Sequence, residues 1–243
     1  RKSDLWGNIT TGLTAGVLKD WEAAYGWGYN GQGQVGDGSN TDSNVPVLVS
    51  GGLSWESISA DSRHVCGVTT ADTAYCWGYN VYGQIGDGTT RRRDDPTRVA
   101  ALGADTVQLA LGMDHALALK QGGAVYSWGT GSSGKLGLGD TDNRLSPTEV
   151  TGLGTDNAYI AAQDKGGMAL KSDGRLLNWG YNSANQLGDG TTTLQRSTNG
   201  QASWQRQLPH PPPHTGTPKQ HQEQSSWRTA SRRRGCWSGY PAT

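Results

Sequence analysis

Short runs of alternating apolar and polar residues recur along most of this chain, broken at regular intervals by glycine-rich strings. One instance is Ala116-Leu117-Ala118-Leu119 followed by Ala124-Val125-Tyr126-Ser127-Trp128, with Gln121-Gly122-Gly123 at the joint. Period-two runs of β-formers interrupted by Gly-Gly, or by the Asp173-Gly174 of a later copy, predict a hairpin. A third strand is expected to start at Pro46, Pro96 and Pro147, where valine-containing segments follow. A fourth is expected ahead of His64 and His115, around Trp55-Glu56-Ser57-Ile58 and Val107-Gln108-Leu109. Four short antiparallel strands in about 50 residues match one blade of a β-propeller.

The glycine-rich string sets the period. It reads WGYNGQGQVGDG from Trp27, WGYNVYGQIGDG from Trp77, WGTGSSGKLGLG from Trp128 and WGYNSANQLGDG from Trp179, so the tryptophans are spaced by 50, 51 and 51 residues. Gly36, Gly86, Gly137 and Gly188 hold one position of the string. His64 and His115 stand thirteen residues before their tryptophans, where the outer copies are aligned at Thr14 and Gly166. A repeat of this length marks stacked supersecondary units that bury a shared core. The four tryptophans are its expected centre, since a buried indole removes about 150 to 250 Å² from water.

The W-G-x-N-x-x-G-Q-[aliphatic]-G-D-G string, the preceding histidine and the proline nineteen residues on resemble the regulator of chromosome condensation repeat family. The match runs over residues 5 to 197, with departures at Thr130, Lys135, Leu138 and Asn185. The resemblance implies an all-β fold of the seven-bladed propeller type. Only four signature tryptophans are present, so the chain is identified as a truncated member of bacterial type, forming an arc of three blades and a partial one. Residues 1–200 are expected to hold the blades, and residues 201–243 a disordered or out-of-frame tail. An open arc leaves strand edges and apolar faces uncovered, and self-association is expected.

Composition agrees with a turn-rich β chain: 37 glycines, ten tryptophans and no phenylalanine. Formal net charge is zero. Residues 1–200 carry 15 basic and 20 acidic side chains, which argues against a nucleic-acid footprint. The basic run Arg91-Arg92-Arg93 is answered at once by Asp94-Asp95 and reads as a solvated loop. No run approaches the length of a membrane span.

Cys66 and Cys76 fall opposite each other if the second hairpin pairs about Ala71, whereas the same places elsewhere hold Gly16 and Gly26, Leu117 and Ser127, Met168 and Asn178. A cross-strand disulfide there implies an oxidising compartment, extracellular or periplasmic; two reduced core thiols would suit the cytoplasm equally.

Motifs suggesting chemistry dissolve into the repeat. Gly31-x-Gly33-x-x-Gly36 imitates a dinucleotide fingerprint without the strand-turn-helix unit it needs. Gly129 to Leu136 imitates a phosphate loop but has Leu136 where a magnesium-binding hydroxyl belongs. Asp140-Thr141-Asp142-Asn143 lacks the remaining positions of a calcium loop. His64 and His115 recur at a fixed place, which favours a structural hydrogen bond within or between blades. Asp37, Asp87 and Asp189 recur in the glycine turns as acceptors of backbone N–H groups. No catalytic, cofactor-binding or metal-ligating residue is assigned, and no enzyme is expected.

The resemblance implies a scaffold that binds another protein through rim loops. Guanine-nucleotide exchange on a small GTPase is the alternative, against which the even spacing leaves no room for an inserted β-wedge. Inhibition of a secreted enzyme is the second alternative. A family branch that senses ultraviolet light carries tryptophan before Arg-His; Ser62 and Met113 occupy those places here, so photosensing is not expected.

Overall fold

The computed structural model describes residues 9–11, 15–20, 23–61 and 63–198, with side chains from residue 23 onward. All described residues fall within one contact unit. The expected tail, residues 201–243, lies outside the described residues.

The strands form four antiparallel sheets in chain order. Blade one is β1 (Ile9–Thr11), β2 (Ala15–Asp20), β3 (Ala23–Gly28) and β4 (Ser43–Leu48). Blade two is β5 (Trp55–Ala60), β6 (His64–Thr69), β7 (Ala74–Gly78) and β8 (Arg93–Arg98). Blade three is β9 (Thr106–Gly112), β10 (His115–Lys120), β11 (Val125–Gly129) and β12 (Arg144–Glu149). Blade four has three strands, β13 (Asn157–Gln163), β14 (Gly166–Lys171) and β15 (Leu176–Gly180). In each sheet the strands lie in sequence order. The first strands of successive blades touch one another, β1 with β5, β5 with β9 and β9 with β13, so they line the common axis and the last strands lie outermost.

The prolines are not where a strand begins. Pro46, Pro96 and Pro147 sit inside β4, β8 and β12, three residues after each starts. The outermost strand tolerates this because a proline there leaves no ladder bond unmade on the side facing away from the sheet. A nascent fourth strand of blade four is visible where Gln195 bridges Gly180, at the register of Arg144 against Gly129 and Arg93 against Gly78.

The central hairpins pair as expected in blades two to four, with Cys66 opposite Cys76, Leu117 opposite Ser127 and Met168 opposite Asn178. Blade one differs by one residue. Gly26 faces Val17, and Ala15 rather than Thr14 stands at the histidine position, opposite Gly28. The cause is length: two residues separate the paired Asp20 and Ala23, whereas three separate Lys120 from Ala124, joined by a 2.9 Å backbone bond.

Packing alternates with strand direction. From β10, Leu117 and Leu119 point forward onto Ile160, Ala169 and Trp179 of blade four. Ala116 and Ala118 point back onto Cys66, Val68 and Cys76 of blade two. Trp77, Trp128 and Trp179 are fully buried, and Trp55, which no repeat predicted, is buried beside Trp77 at 5.5 Å between ring centroids. Trp27 is only half-buried. A disulfide joins Cys66 to Cys76, in the buried face between blades two and three.

Candidate functional site

Each glycine-rich string forms the loop from the third to the fourth strand of its blade, and one atom set in it builds the seam to the next blade. The indole Nε1 of Trp77 donates to the Gln34 carbonyl at 3.1 Å, that of Trp128 to Gln84 at 2.8 Å, and that of Trp179 to Lys135 at 2.9 Å. The repeat glycine makes room for the ring. A Cβ on Gly36, Gly86 or Gly137 would lie 2.5, 2.8 or 2.9 Å from that same Nε1. Two residues on, the loop reaches the next blade's outer strand, where the N–H groups of Gly38, Gly88 and Gly139 donate to the carbonyls of Asp94, Leu145 and Arg196 at 2.9, 2.9 and 2.8 Å. Recurrence of these glycines thus records the approach of a neighbouring blade, beyond the tight turn read from sequence.

Within the loop a buried asparagine acts as the clamp. Asn80 Oδ1 accepts the Ile85 N–H at 2.9 Å, and its Nδ2 donates to Asp87 Oδ1, the Thr89 carbonyl and the Arg91 carbonyl. Asn30 and Asn182 repeat the arrangement with Val35 and Leu187. Asp37, Asp87 and Asp189 accept the N–H of Ser39, Thr89 and Thr191 at 2.9, 3.0 and 2.9 Å. The third copy is rewired: Gly131 replaces the asparagine, and a Cβ there would lie 2.0 Å from the Asp142 carbonyl oxygen. Asn143 Oδ1 accepts the Gly131 N–H instead, and Asp140 pairs with Arg144 at 2.6 Å.

His64 and His115 open β6 and β10, fully buried. The Nε2 of His115 lies 3.2 Å from the Gly166 carbonyl and donates to it, a bond between blades three and four. His64 makes no such bond among the described residues; both its ring nitrogens are buried without a partner. Burial holds the His64 pKa down to about 4 and, with Lys135 adding repulsion, that of His115 to about 3, so both rings are neutral.

The outward side of the same loops is the candidate site. Together with the turns between first and second strands, they make one rim of the arc, bearing the exposed Tyr29, Val81, Tyr82 and Met113. Arg63 lies over the Tyr79 ring at 5.3 Å, Lys165 lies over Tyr181 at 4.9 Å, and Tyr79 meets Tyr82 edge to face. Nearer the axis Gln84 Nε2 donates to Asp114 Oδ1 at 3.3 Å, and Lys135 Nζ donates to the Asp164 carbonyl at 3.3 Å. Burial lowers the Lys135 pKa and raises that of Asp114.

On the opposite rim, formed by the central hairpins, two lysines are held in internal pairs. Lys120 binds Asp105 and the Leu102 carbonyl; Lys171 binds Asp156 and the Leu153 carbonyl. Along the inner strands a cleft of about 360 Å³ opens beside Ile58, Val107 and Tyr159; its lining has no carboxylate, histidine, lysine or thiol. Among the described residues no group of three His, Cys, Asp or Glu side chains comes together in a way that could hold a metal ion. No helix of the described residues is long and apolar enough to cross a membrane.

A family model of the regulator of chromosome condensation (RCC1) repeat matches residues 23–68, 72–119 and 122–164, more than half of the chain. The chain belongs to the regulator of chromosome condensation repeat family. It is 35% identical over 178 residues to the Arabidopsis thaliana ultraviolet-B receptor UVR8, covering 70% of this chain and 40% of that protein. The fold is similar to that of yeast RCC1 (Prp20) bound to Kap60, with a TM-score of 0.69, 21% identity, and coverage of 79% of this chain and 47% of the other. It is also similar to the Saccharomyces cerevisiae Prp20p structure described with its binding to Gsp1p and histones, with a TM-score of 0.64, 24% identity, and coverage of 74% of this chain and 45% of the other. The chain thus spans less than half the length of these relatives. Its described residues form three four-stranded blades and one of three strands.

Several parts of this site were not read from the sequence. The buried asparagine recurs visibly in W-G-Y-N, which was the available signal. The cation-on-tyrosine pairs had none, because Arg63 and Tyr79 are brought together only by the loop's return to the β5–β6 turn, where the Tyr79 N–H donates to the Arg63 carbonyl at 2.9 Å.

Proposed function

We propose that this propeller arc is a non-catalytic scaffold that docks another protein on the rim made by its glycine-rich loops. The observation that carries the reading is the gathering of exposed Tyr29, Val81, Tyr82 and Met113 with Arg63 and Lys165 on that rim, while Lys120 and Lys171 of the hairpin rim are held by carboxylates of their own chain. Tyrosine and arginine are the residue types that anchor protein interfaces most often. The yeast relatives named with Kap60, Gsp1p and histones support a protein partner. Excess acid over base in residues 1–200 favours a basic one. The buried Cys66–Cys76 disulfide supports an extracellular or periplasmic setting, and with it the second reading, inhibition of a secreted enzyme.

The test presents the full chain to core histones and to a nucleotide-loaded small GTPase, with Arg63→Ala/Lys165→Ala alongside. Histone binding that drops about tenfold or more in the double variant, at an unchanged melting temperature, supports rim docking. Binding indifferent to both changes refutes it. Accelerated nucleotide release from the GTPase would replace the scaffold reading with exchange activity. Thiol titration of the unfolded, unreduced chain is expected to find Cys236 alone reactive; three reactive thiols would remove the case for an oxidising compartment.

A further inference from the structure

The residue just before each repeat tryptophan does one job in blades three and four and another in blade two. Ser127 Oγ donates to the Leu136 carbonyl at 2.8 Å, and Asn178 Nδ2 donates to the Leu187 carbonyl at 3.0 Å. Each bond is buried and ties the third strand of a blade to the aliphatic residue of its own glycine-rich loop. Blade one has Gly26 at this place, and a Cβ there would lie 2.4 Å from the Val35 carbonyl oxygen, so the loop carbonyl faces the same position. In blade two the place belongs to Cys76, whose sulfur is bonded to Cys66 and carries no hydrogen to donate. Ile85, the counterpart of Leu136 and Leu187, is fully buried, and among the described residues nothing donates to its carbonyl. A buried carbonyl left without a donor is uncommon in folded chains.

Reduction supplies the missing donor. A dithiol reductant gives up two electrons and two protons by exchange through a mixed disulfide, itself becoming a disulfide while Cys66 and Cys76 become thiols. The thiol of cysteine stands where the hydroxyl of serine does, and its S–H is a weak donor. Both cysteines are fully buried, so the reductant reaches them only when the face between blades two and three opens. The Cys66 thiol then stays in that apolar face, beside Ala116, Ala118 and Trp128.

We propose that the Cys66–Cys76 pair is a redox latch for the second glycine-rich loop. Oxidised, it ties β6 to β7 and leaves the Ile85 carbonyl without a donor; reduced, it frees the Cys76 thiol to donate to Ile85, as Ser127 does to Leu136. Ile85 follows Gln84, whose side-chain Oε1 accepts the Tyr82 N–H at 3.0 Å and whose carbonyl accepts from Trp128. The latch therefore acts on the segment that carries Val81 and Tyr82 to the rim. Its bearing on docking rests on the rim reading above, whereas the latch itself lies within blade two and needs no partner.

The test is amide hydrogen exchange of the full chain carrying Cys236→Ser, before reduction and after dithiothreitol has exposed two titratable thiols. The expected signature has opposite signs. The denaturant midpoint falls as the cross-link is lost, while the amides of Ile85 and Gly86, bonded to Asn80 Oδ1 and the Gly83 carbonyl at 2.9 Å, exchange more slowly. The slowing is about threefold, a hydrogen bond at the weak end of the usual range. A cross-link that only braces the hairpin would speed exchange at both amides when cut. Cys66→Ala/Cys76→Ser keeps the slow exchange with or without reductant, and Cys66→Ala/Cys76→Ala never shows it. The wild-type comparison stands alone if either double variant fails to fold. Exchange at Ile85 and Gly86 that is unchanged or faster on reduction, or equal in the serine and alanine variants, overturns the latch. These readouts contain no partner, so the latch and the docking reading fail separately.

Discussion

The seams between blades and the loop rim are made by the same twelve-residue strings, yet they obey different rules. Facing the next blade, the string presents backbone: a carbonyl for the indole, a glycine that leaves space for it, and an N–H for the outer strand. Those contacts repeat at three successive seams within a few tenths of an ångström. Facing outward it presents side chains, and these change from copy to copy: Tyr29, then Tyr79 with Val81 and Tyr82, then Ser132, then Tyr181. Stability is therefore carried by the contacts that repeat, and the docking we propose would fall to the side chains that change. Lys135 illustrates the separation, since lysine replaces glutamine while its carbonyl still accepts from Trp179.

The strongest way to sharpen that comparison is to remove an indole where it is fully buried in a seam and one where it is half-buried, in blade one. Trp128→Ala deletes a fully buried ring that packs against Cys66, Val68, Ile85 and Val99 and leaves the Gln84 carbonyl without its donor. A loss of about 3 to 5 kcal/mol is expected in denaturant unfolding. Trp27→Ala, at the half-buried position, should cost less than half of that. Equal losses at the two positions would mean that the seam is not what the tryptophan stabilises.

Acid offers a second comparison of seam with rim. His64 and His115 are neutral in the folded seam, with pKa values held to about 4 and about 3, against an unfolded value near 6.5. Above that unfolded value neither state binds the proton and stability is independent of these groups. Below it the unfolded chain takes up protons that the folded chain refuses, so stability falls as pH falls, by about 1 kcal/mol per unit for each histidine until the folded values are reached. Between pH 6.5 and 5.5 the two together cost about 2 kcal/mol. Replacing both with glutamine should flatten the pH dependence of the melting temperature across that window; an unchanged slope would show that the rings titrate normally.

Much of this architecture was legible because the repeat states the same constraint several times. Trp77 and Gly86 were readable as recurring structural positions from spacing alone, and strand pairing about Ala71 placed Cys66 against Cys76. Blade one was misread by a residue because its string is intact while its hairpin is one residue short, and period counting from Trp27 does not see a deletion on the far side of a turn. The prolines were misread because proline signals a boundary locally, whereas its tolerance in β4, β8 and β12 comes from lying outermost, a fact of sheet order. Trp55 was not ranked with the core because it does not recur; its burial follows from contact with Trp77 and Tyr75 of its own blade. The rim was least legible, since its aromatic and cationic groups come from segments that meet only after the blade has closed.

The smallest expected effect is the most direct probe of the division. Tyr82 is exposed, and its described ring contact is with Tyr79, on the outward side of a loop whose inward carbonyl and glycine are locked by Trp128. Its own N–H is already satisfied by Gln84 Oε1 at 3.0 Å, a bond to the main chain that an alanine keeps. Tyr82→Ala should therefore change unfolding free energy by no more than about 0.5 kcal/mol, the range of an exposed substitution, while an edge-to-face pair on a working interface would be missed by the partner at once. Conversely, a shift above about 1 kcal/mol would place the tyrosine pair in the loop's own folding. The outward face would then be a consequence of the seam rather than a surface free to diverge.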